Sequence, residues 1–243
     1  MNLHLSKGNP MSLSRYIAPL WALLLLALPV SANALSDTEQ AQLDDIVDLL
    51  EENPKNLNYL HRYVKVYTTT KNWIYSEKHS WIGASEPAVT VVNFMDYNCP
   101  YCKKLEEELQ KLVAAHDDVK VINIALPLKQ QSIESLGTNS AVYAMNVWLE
   151  KPEAFAQVHQ LLMKKRGMHD ARSLEKIAKK TDTDELLVAK SKSEQYIIRN
   201  YQAFKVFGLR GTPAMIIGEQ VAPPGYLPYP QLEAMVDAAR AEG

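Results

Sequence analysis

Val89-Thr90-Val91-Val92-Asn93-Phe94-Met95 leads through Asp96-Tyr97-Asn98 into Cys99-Pro100-Tyr101-Cys102. An apolar run, a short turn and a C-x-x-C are followed by a helical pattern to about Ala115, with Leu105, Leu109 and Leu112 or Val113 on one face. The chain has 2 cysteines, and both are here. Strand, turn, C-x-x-C and helix in this order predict a redox dithiol at a helix start, a two-electron centre. Two other readings of the spacing are weaker. A structural zinc site needs more thiolate or imidazole ligands, and the 6 histidines, His4, His61, His79, His116, His159 and His169, are scattered. A closed structural disulfide across so small a loop would constrain the unfolded chain little.

Downstream, Val119 to Leu126 reads as a second buried strand. Together with the first it predicts a β-α-β unit, a parallel pair with a right-handed crossover. Ser132 to about Phe207 reads as helical throughout, punctuated by Pro152, Gly167 and Asp182, with Asp182 and Glu185 as a capping box. Ala214 to Ile217 predicts a strand, Gly218-Glu219 a hairpin turn and Gln220-Val221 the return strand. A Pro-rich loop follows, and Pro230 to Ala241 closes as an amphipathic helix. The expected fold is α/β: a thioredoxin-like domain over residues 72–243, with a helical insertion at about 132–207 and an N-terminal helical segment at 35–71.

That N-terminal segment begins with Ser36 and Glu39 as a capping box. Leu43, Ile46, Leu50, Leu57, Leu60, Val64 and Tyr67 keep a 3-4 spacing. Pro54 breaks or kinks the pattern and suits the first position of a second helix capped by Asn53. Two readings stay open: helices packed on their own domain, or an intermolecular seam. Thr68 to Lys71 reads as a connector, Asn72 to Tyr75 as a short edge strand, and Ser76 to Pro87 as a loop.

Residues 1–34 read as a secretory signal peptide. Lys7 and Arg15 give positive charge, Ile17 to Val30 is almost wholly apolar, and Ala32-Asn33-Ala34 is an A-x-A cleavage site. A start at Met11 would give a more typical signal length. The apolar stretch is short for a membrane anchor, which needs about 20 residues. The mature chain is therefore expected to begin at Leu35, soluble and exported, without stable membrane insertion. In a bacterium it would be periplasmic, where a lone cysteine pair can cycle between oxidation states. Formal net charge is −2 and nothing basic suggests nucleic acid.

Val91 to Lys103 resembles the active-site strand and helix of DsbA-type periplasmic thiol-disulfide oxidoreductases. Phe207-Gly208-Leu209-Arg210-Gly211-Thr212-Pro213-Ala214 resembles their cis-proline loop. The helical insertion between the two motifs also matches, and Asp48 to Pro54 is similar to the oligomerisation segment of ScsC-like members. Threonine before the proline is closer to the isomerase-like and ScsC-like branches than to DsbA, where valine is usual. One position departs from the pattern. Thioredoxin-like proteins often carry a buried Asp or Glu six residues before the first active-site cysteine, and here that residue is Asn93. Asp96 is expected on the opposite strand face, which leaves Glu106 or a water as the proton acceptor.

The resemblance implies a protein thiol-disulfide oxidoreductase that needs no cofactor beyond a redox-active Cys99–Cys102 disulfide, and no metal. Cys99 at the helix start is the nucleophile, its thiolate favoured by free N–H groups and the helix dipole. Cys102, a turn inside, resolves mixed disulfides. Pro100 and Tyr101 shape the turn, and Lys103 and Lys104 are expected as solvated positive charge. Thr212 and Pro213, joined by a cis bond, are expected to dock an extended substrate. Partners would be proteins bearing thiols or disulfides, a second copy of the chain, and a membrane redox partner: a reductase for an isomerase, a quinone-linked oxidase for an oxidant. Rival functions are a monomeric dithiol oxidase and a copper-handling or chaperone-like binding protein. Thiolates do select Cu(I), and the resemblance carries a link to copper stress, but the 8 methionines are dispersed. A glutaredoxin shares Cys-Pro-Tyr-Cys, yet the export signal and helical insertion argue against it.

Overall fold

A computed structural model describes residues 54–242. The expected signal peptide and the helix from Ser36 to Asn53 lie outside them. The chain divides into two compact units, Met1–His61 and Arg62–Gly243. The first is described only over 54–61, which are helical. The account below concerns the second.

The elements in chain order are α1 (Pro54–Ile74), β1 (Ser80–Gly83), β2 (Val89–Met95), α2 (Pro100–Ala115), β3 (Val119–Ala125), α3 (Ser140–Glu150), α4 (Pro152–Lys164), α5 (Ala171–Thr181), a 3-10 turn (Asp184–Leu186), α6 (Ser191–Val206), β4 (Ala214–Ile217), β5 (Gln220–Val221) and α7 (Tyr229–Glu242). The sheet order is β1-β3-β2-β4-β5. β2 is central, parallel to β3 and antiparallel to β4, while β1 runs antiparallel on β3. This is the expected β-α-β unit, helical insertion and β-β-α closure. The Gly218-Glu219 hairpin falls where predicted; Gly218 sits at φ 60°, and a Cβ there would come within 2.9 Å of Ala239 Cβ.

Strand alternation sorts the core. Val89 and Val91 face Leu105, Leu109 and Leu112 of α2 and Leu232 and Val236 of α7. Val92 and Phe94 face the opposite way, onto Phe204 of α6 and Trp73 and Ile74 of α1. A third cluster fills the insertion, where Tyr143, Val158, Leu162 and Leu174 meet Met95, Tyr97, Cys99 and Cys102. The dithiol therefore lies where the end of β2 and the start of α2 abut the insertion.

Four local expectations fail, each for a physical reason. Thr68 to Tyr75 is not a connector and edge strand; α1 runs through to Ile74. The Thr69 and Thr70 hydroxyls donate to the carbonyls of Lys65 and Val66 at 2.7 Å, which satisfies them inside a helix. Burial of Trp73 and Ile74 then holds the last turn. Ser76 to Pro87 is not all loop. Ser80–Gly83 forms β1 because it pairs with Lys120–Asn123, a non-local contact.

Residues 132–139 are not helical. Ile133 bridges Thr138, and α3 starts at Ser140 because the Asn139 side chain accepts from the N–H groups of Ala141 and Val142 at 2.9 Å. Asp182 opens no helix; it closes α5 at φ 53° with its carboxylate 2.9 Å from Lys151 Nζ. The capping box is formed one helix earlier, by Asp170 and Ser173.

Candidate active site

Cys99 is the N-cap of α2, with extended backbone (φ −86°, ψ 120°), and Pro100 takes the first helical turn, where its missing N–H costs nothing. Tyr101 is 63% exposed, whereas Cys99 and Cys102 are 3% and 2% exposed. Both cysteines are free thiols. The Thr212-Pro213 bond is cis, and Cys99 Sγ donates to the Thr212 carbonyl at 3.2 Å. The structure thus brings together all six residues singled out from the sequence: Cys99, Pro100, Tyr101, Cys102, Thr212 and Pro213.

The two thiols are driven apart electrostatically. The Cys102 thiol hydrogen-bonds the Cys99 sulfur and is the largest influence on it. Desolvation opposes, but the Cys102 and Tyr101 backbones and the Thr212 side chain assist, and Cys99 is lowered from 9.0 to about 5. Cys102 goes the other way, pushed up by burial and by Cys99, while the Asp96 N–H, 3.5 Å from its sulfur, eases it only partly. One sulfur is an anion at neutral pH and its neighbour a proton donor. A pair so arranged can attack a disulfide and then resolve the adduct.

The surroundings correct two expectations. Lys103 is not solvated: its Nζ donates to the carbonyls of Lys165 at 2.5 Å and Gly167 at 2.9 Å. Burial and nearby Lys165 lower its pKa. Strand alternation does not govern Asp96, because β2 ends at Met95. The Asp96 carboxylate accepts from the N–H groups of Asn98 (2.7 Å) and Lys129 (2.8 Å). Burial raises its pKa against those bonds. Asn93 pairs with Asn123 across β2 and β3, Nδ2 to Oδ1 at 2.9 Å.

Sequence reading missed a buried polar layer behind the dithiol. Tyr97 Oη and His159 Nδ1 are 2.9 Å apart, and His159 Nε2 lies 3.2 Å from Glu106 Oε1, within attraction but off the hydrogen-bond line. Glu106 also accepts from Gln110 at 2.7 Å. Burial disfavours its carboxylate, yet His159 and Gln110 outweigh this and hold it below the usual range. Glu106, already named from the sequence as a candidate proton acceptor, stands at i+4 from Cys102 on the same helix face; its buried partners Tyr97 and His159 were not foreseen. His159 carried no signal.

The sequence pattern of the family described as Thioredoxin matches residues 75–238. The chain belongs to the thioredoxin family. Among solved structures it is similar to a periplasmic thioredoxin-like protein from Salmonella enterica serovar Typhimurium, with 36% identity, 71% of this chain and 97% of that one covered, and a TM-score of 0.64. It is also similar to Proteus mirabilis ScsC in a transitional conformation, at 30% identity over 86% of this chain and 99% of that one, TM-score 0.66. A curated relative, thiol:disulfide interchange protein DsbC of Dickeya dadantii (strain 3937), is 25% identical over 150 residues, 61% of this chain. The chain spans 50% of that relative's length. Within the thioredoxin family, these neighbours are of the ScsC-like and Dsb kind that the two motifs resemble. Among the described residues no group of three or more His, Cys, Asp or Glu is placed to hold a metal ion, and no helix is long and apolar enough to cross a membrane.

Proposed function

We propose that this chain is an exported, periplasmic thiol-disulfide oxidoreductase that works on protein disulfides through Cys99-Pro100-Tyr101-Cys102, and that as an oligomer it is a disulfide isomerase. The carrying observation is the opposed pair: Cys99 lowered to about 5 at the start of α2, with Cys102 raised beside it. The Cys99 thiolate attacks a substrate disulfide. A Cys99–substrate bond forms, the substrate S–S breaks, and its second sulfur leaves as thiolate. Shuffling follows when that freed thiolate attacks another bond and Cys99 is finally released unchanged, with no net redox. Cys102 provides the exit from a stalled adduct: its thiolate attacks Cys99 Sγ, the substrate leaves as a thiol, and the pair is left oxidised. Cys102 must first lose its proton, and Glu106 on the next turn is the carboxylate offered for it.

Thr212 and Pro213 dock the substrate. The Thr212 backbone stands 3.2 Å from Cys99 Sγ, so a strand laid against it would present its sulfur to the nucleophile. The oligomerisation reading, through the N-terminal segment 35–71, draws on the exposed apolar face of α1: Tyr63, Val64 and Tyr67, neighbours at helical spacing, are 53%, 51% and 38% exposed. The likeness to ScsC over 86% of this chain also supports it. An isomerase needs its dithiol kept reduced, which calls for a membrane reductase.

The second reading is a monomeric dithiol oxidase fed by a quinone-linked membrane oxidase. It is favoured by the same low Cys99 pKa, because a stabilised thiolate makes the disulfide more oxidising. Refolding of a scrambled-disulfide protein separates the two, with reduced and oxidised enzyme compared and mass measured in solution. Reduced enzyme restoring activity as an oligomer is the expected result. A monomer active only when oxidised would replace the isomerase reading with the oxidase.

A further inference from the structure

A groove of about 690 Å³ begins beside the active-site turn, at Pro100, and apart from Glu106 its lining takes no part in the chemistry above. Its near wall is α2 and its far wall the last turn of α4 with the loop beyond. It carries five cations, Lys103, Lys104, Lys164, Lys165 and Arg166, against two carboxylates, Glu106 and Glu107. Glu106 is already engaged by His159 and Gln110. The groove is therefore basic, although the chain as a whole carries a formal net charge of −2.

The far wall is fixed to the active site. The His169 N–H donates to Asn98 Oδ1 at 2.7 Å, and Lys103 of α2 grips the Lys165 and Gly167 carbonyls. Lys165 in turn reaches the Met168 carbonyl, and Lys104 lies 4.2 Å over the Tyr226 ring. Lys164 and Arg166 are different. They are exposed and form no ion pair among the described residues. Two unspent cations stand on a fixed wall beside the active-site turn.

We propose that this groove binds an acidic stretch of the client polypeptide flanking its reacting cysteine, and so selects clients by charge. The proposal rests on the oxidoreductase reading. The occupant is a polypeptide because Asn98 and Pro100, the neighbours of Cys99 on either side, line the groove, so the chain flanking a cysteine bonded to Cys99 comes within its reach. From Pro100 to Gln110 the near wall runs about 15 Å at the helical rise of 1.5 Å per residue. That is room for about four extended residues. The lining also offers partners for a peptide backbone. The side-chain amides of Gln110 and Gln160 stand on its two walls. Acidic side chains would meet Lys164 and Arg166 at the rim, where attraction is strongest at low salt.

The test uses the full-length oxidised protein and three peptides, each with a single cysteine flanked by Asp/Glu, by Asn/Gln or by Lys. Second-order oxidation rates are measured for the native chain and for Lys164→Glu/Arg166→Glu. The reaction of the reduced protein with a neutral aromatic disulfide is measured in parallel. At low salt the acidic peptide is expected to react faster than the neutral one by roughly two- to fivefold per engaged charge. The gap should close as salt is raised. The double variant should reverse the order of acidic and basic peptides while its rate with the neutral disulfide stays unchanged. Rates that ignore flanking charge, or an order that survives in the double variant, would overturn the groove as a selector. A native chain inert to the neutral disulfide would instead overturn the oxidoreductase reading, and the groove proposal with it.

Discussion

The redox unit and the described part of α1 that belongs to the same body treat their apolar residues in opposite ways. Along β2, Val89 and Val91 to Met95 are buried, and α2 buries Leu105, Leu109 and Leu112 completely. Both faces of β2 are covered inside the chain, by α2 and α7 on one side and by α1 and α6 on the other. α1 buries Trp73 and Ile74 at its end, but leaves Tyr63, Val64 and Tyr67, which share one face, 53%, 51% and 38% exposed. Exposed apolar residues are ordinary singly and informative as a stripe. The contrast separates two tasks: chemistry complete within one redox domain, and a surface whose complement is not supplied by the described residues. Substitutions in the two regions should therefore damage different properties.

The largest effects belong to the dithiol. Cys99→Ser should abolish thiol-disulfide exchange, since no other thiolate is available. Cys102→Ser should retain attack and accumulate mixed disulfides, visible as adducts on non-reducing gels. Adducts on Cys99→Ser but not on Cys102→Ser would reverse the roles. Thiolate absorbance of the native reduced protein should fall with a midpoint near pH 5, the value to which Cys102 and the helix start lower Cys99. A midpoint above 8 would remove the nucleophile assignment. Neither readout should respond to substitutions in α1.

A smaller effect is shared by the two regions and separates them by pH. His79 sits under the end of α1, its ring 4.7 Å from Trp73 and its Nε2 3.0 Å from the Trp73 carbonyl. Desolvation lowers its pKa to about 4, against the Trp73 carbonyl and with help from Arg199 and Lys78. His169 sits by the dithiol loop, its Nε2 3.0 Å from the Leu162 carbonyl. Burial brings it also to about 4; the carbonyl and Asp170 oppose, and Lys103 and Lys165 assist. Both folded values lie below the unfolded 6.5, so between about 6.5 and 4 the unfolded chain binds protons that the folded chain refuses. Their stabilisation is present above pH 6.5, is lost as pH falls through that window, and amounts to on the order of 3 kcal/mol for each histidine. The depressed carboxylates Asp118, Asp170 and Asp182 act lower, below their ordinary values near 4.

Thermal unfolding should therefore weaken markedly from pH 6.5 to 4. His79→Gln should flatten part of that curve without altering Cys99 reactivity. His169→Asn should flatten it and alter Cys99 reactivity as well, because losing the ring's contact with the Leu162 carbonyl loosens the loop whose main-chain N–H holds Asn98, next to Cys99. A native stability curve that is level across the window would show that these rings are not buried in neutral form.

The same contrast explains what the sequence could reveal. β2, α2, the β4–β5 hairpin and α7 were legible because their signals are local: an apolar run into a turn, Pro100 at a helix start, Gly218 at a two-residue hairpin. The dithiol and the Thr212-Pro213 loop were legible as motifs, although they are far apart in the chain. The end of α1 and β1 were not. Trp73 becomes helical core because its Nε1 donates to Asn200 Oδ1 at 2.9 Å and its ring packs on Tyr196, both from α6. β1 exists only through β3. The buried layer behind the site was hidden in the same way. His159 looks like any position on an amphipathic helix until α4 lays it against Tyr97 and Glu106. Lys103 looked solvated because nothing in its neighbours announces the carbonyls of Lys165 and Gly167.

The smallest expected change in stability tests the comparison most directly. Val64→Ser with Tyr63→Ser removes apolar surface from the open stripe of α1, ahead of the anchored Trp73 and Ile74. Exposed substitutions away from packed or capped groups usually stay within ±0.5 kcal/mol, so thermal unfolding of the redox domain should hardly move. Peptide oxidation by the dithiol should be equally unaffected. If the stripe is where copies of the chain meet, light scattering should nonetheless show weaker self-association, and refolding of a scrambled substrate should slow with it. The two readouts must move together, because shuffling depends on neighbouring dithiols sharing a client. Loss of association with refolding intact would detach isomerase activity from oligomerisation. An unchanged mass would leave the stripe without a second copy as its partner and favour the monomeric oxidase.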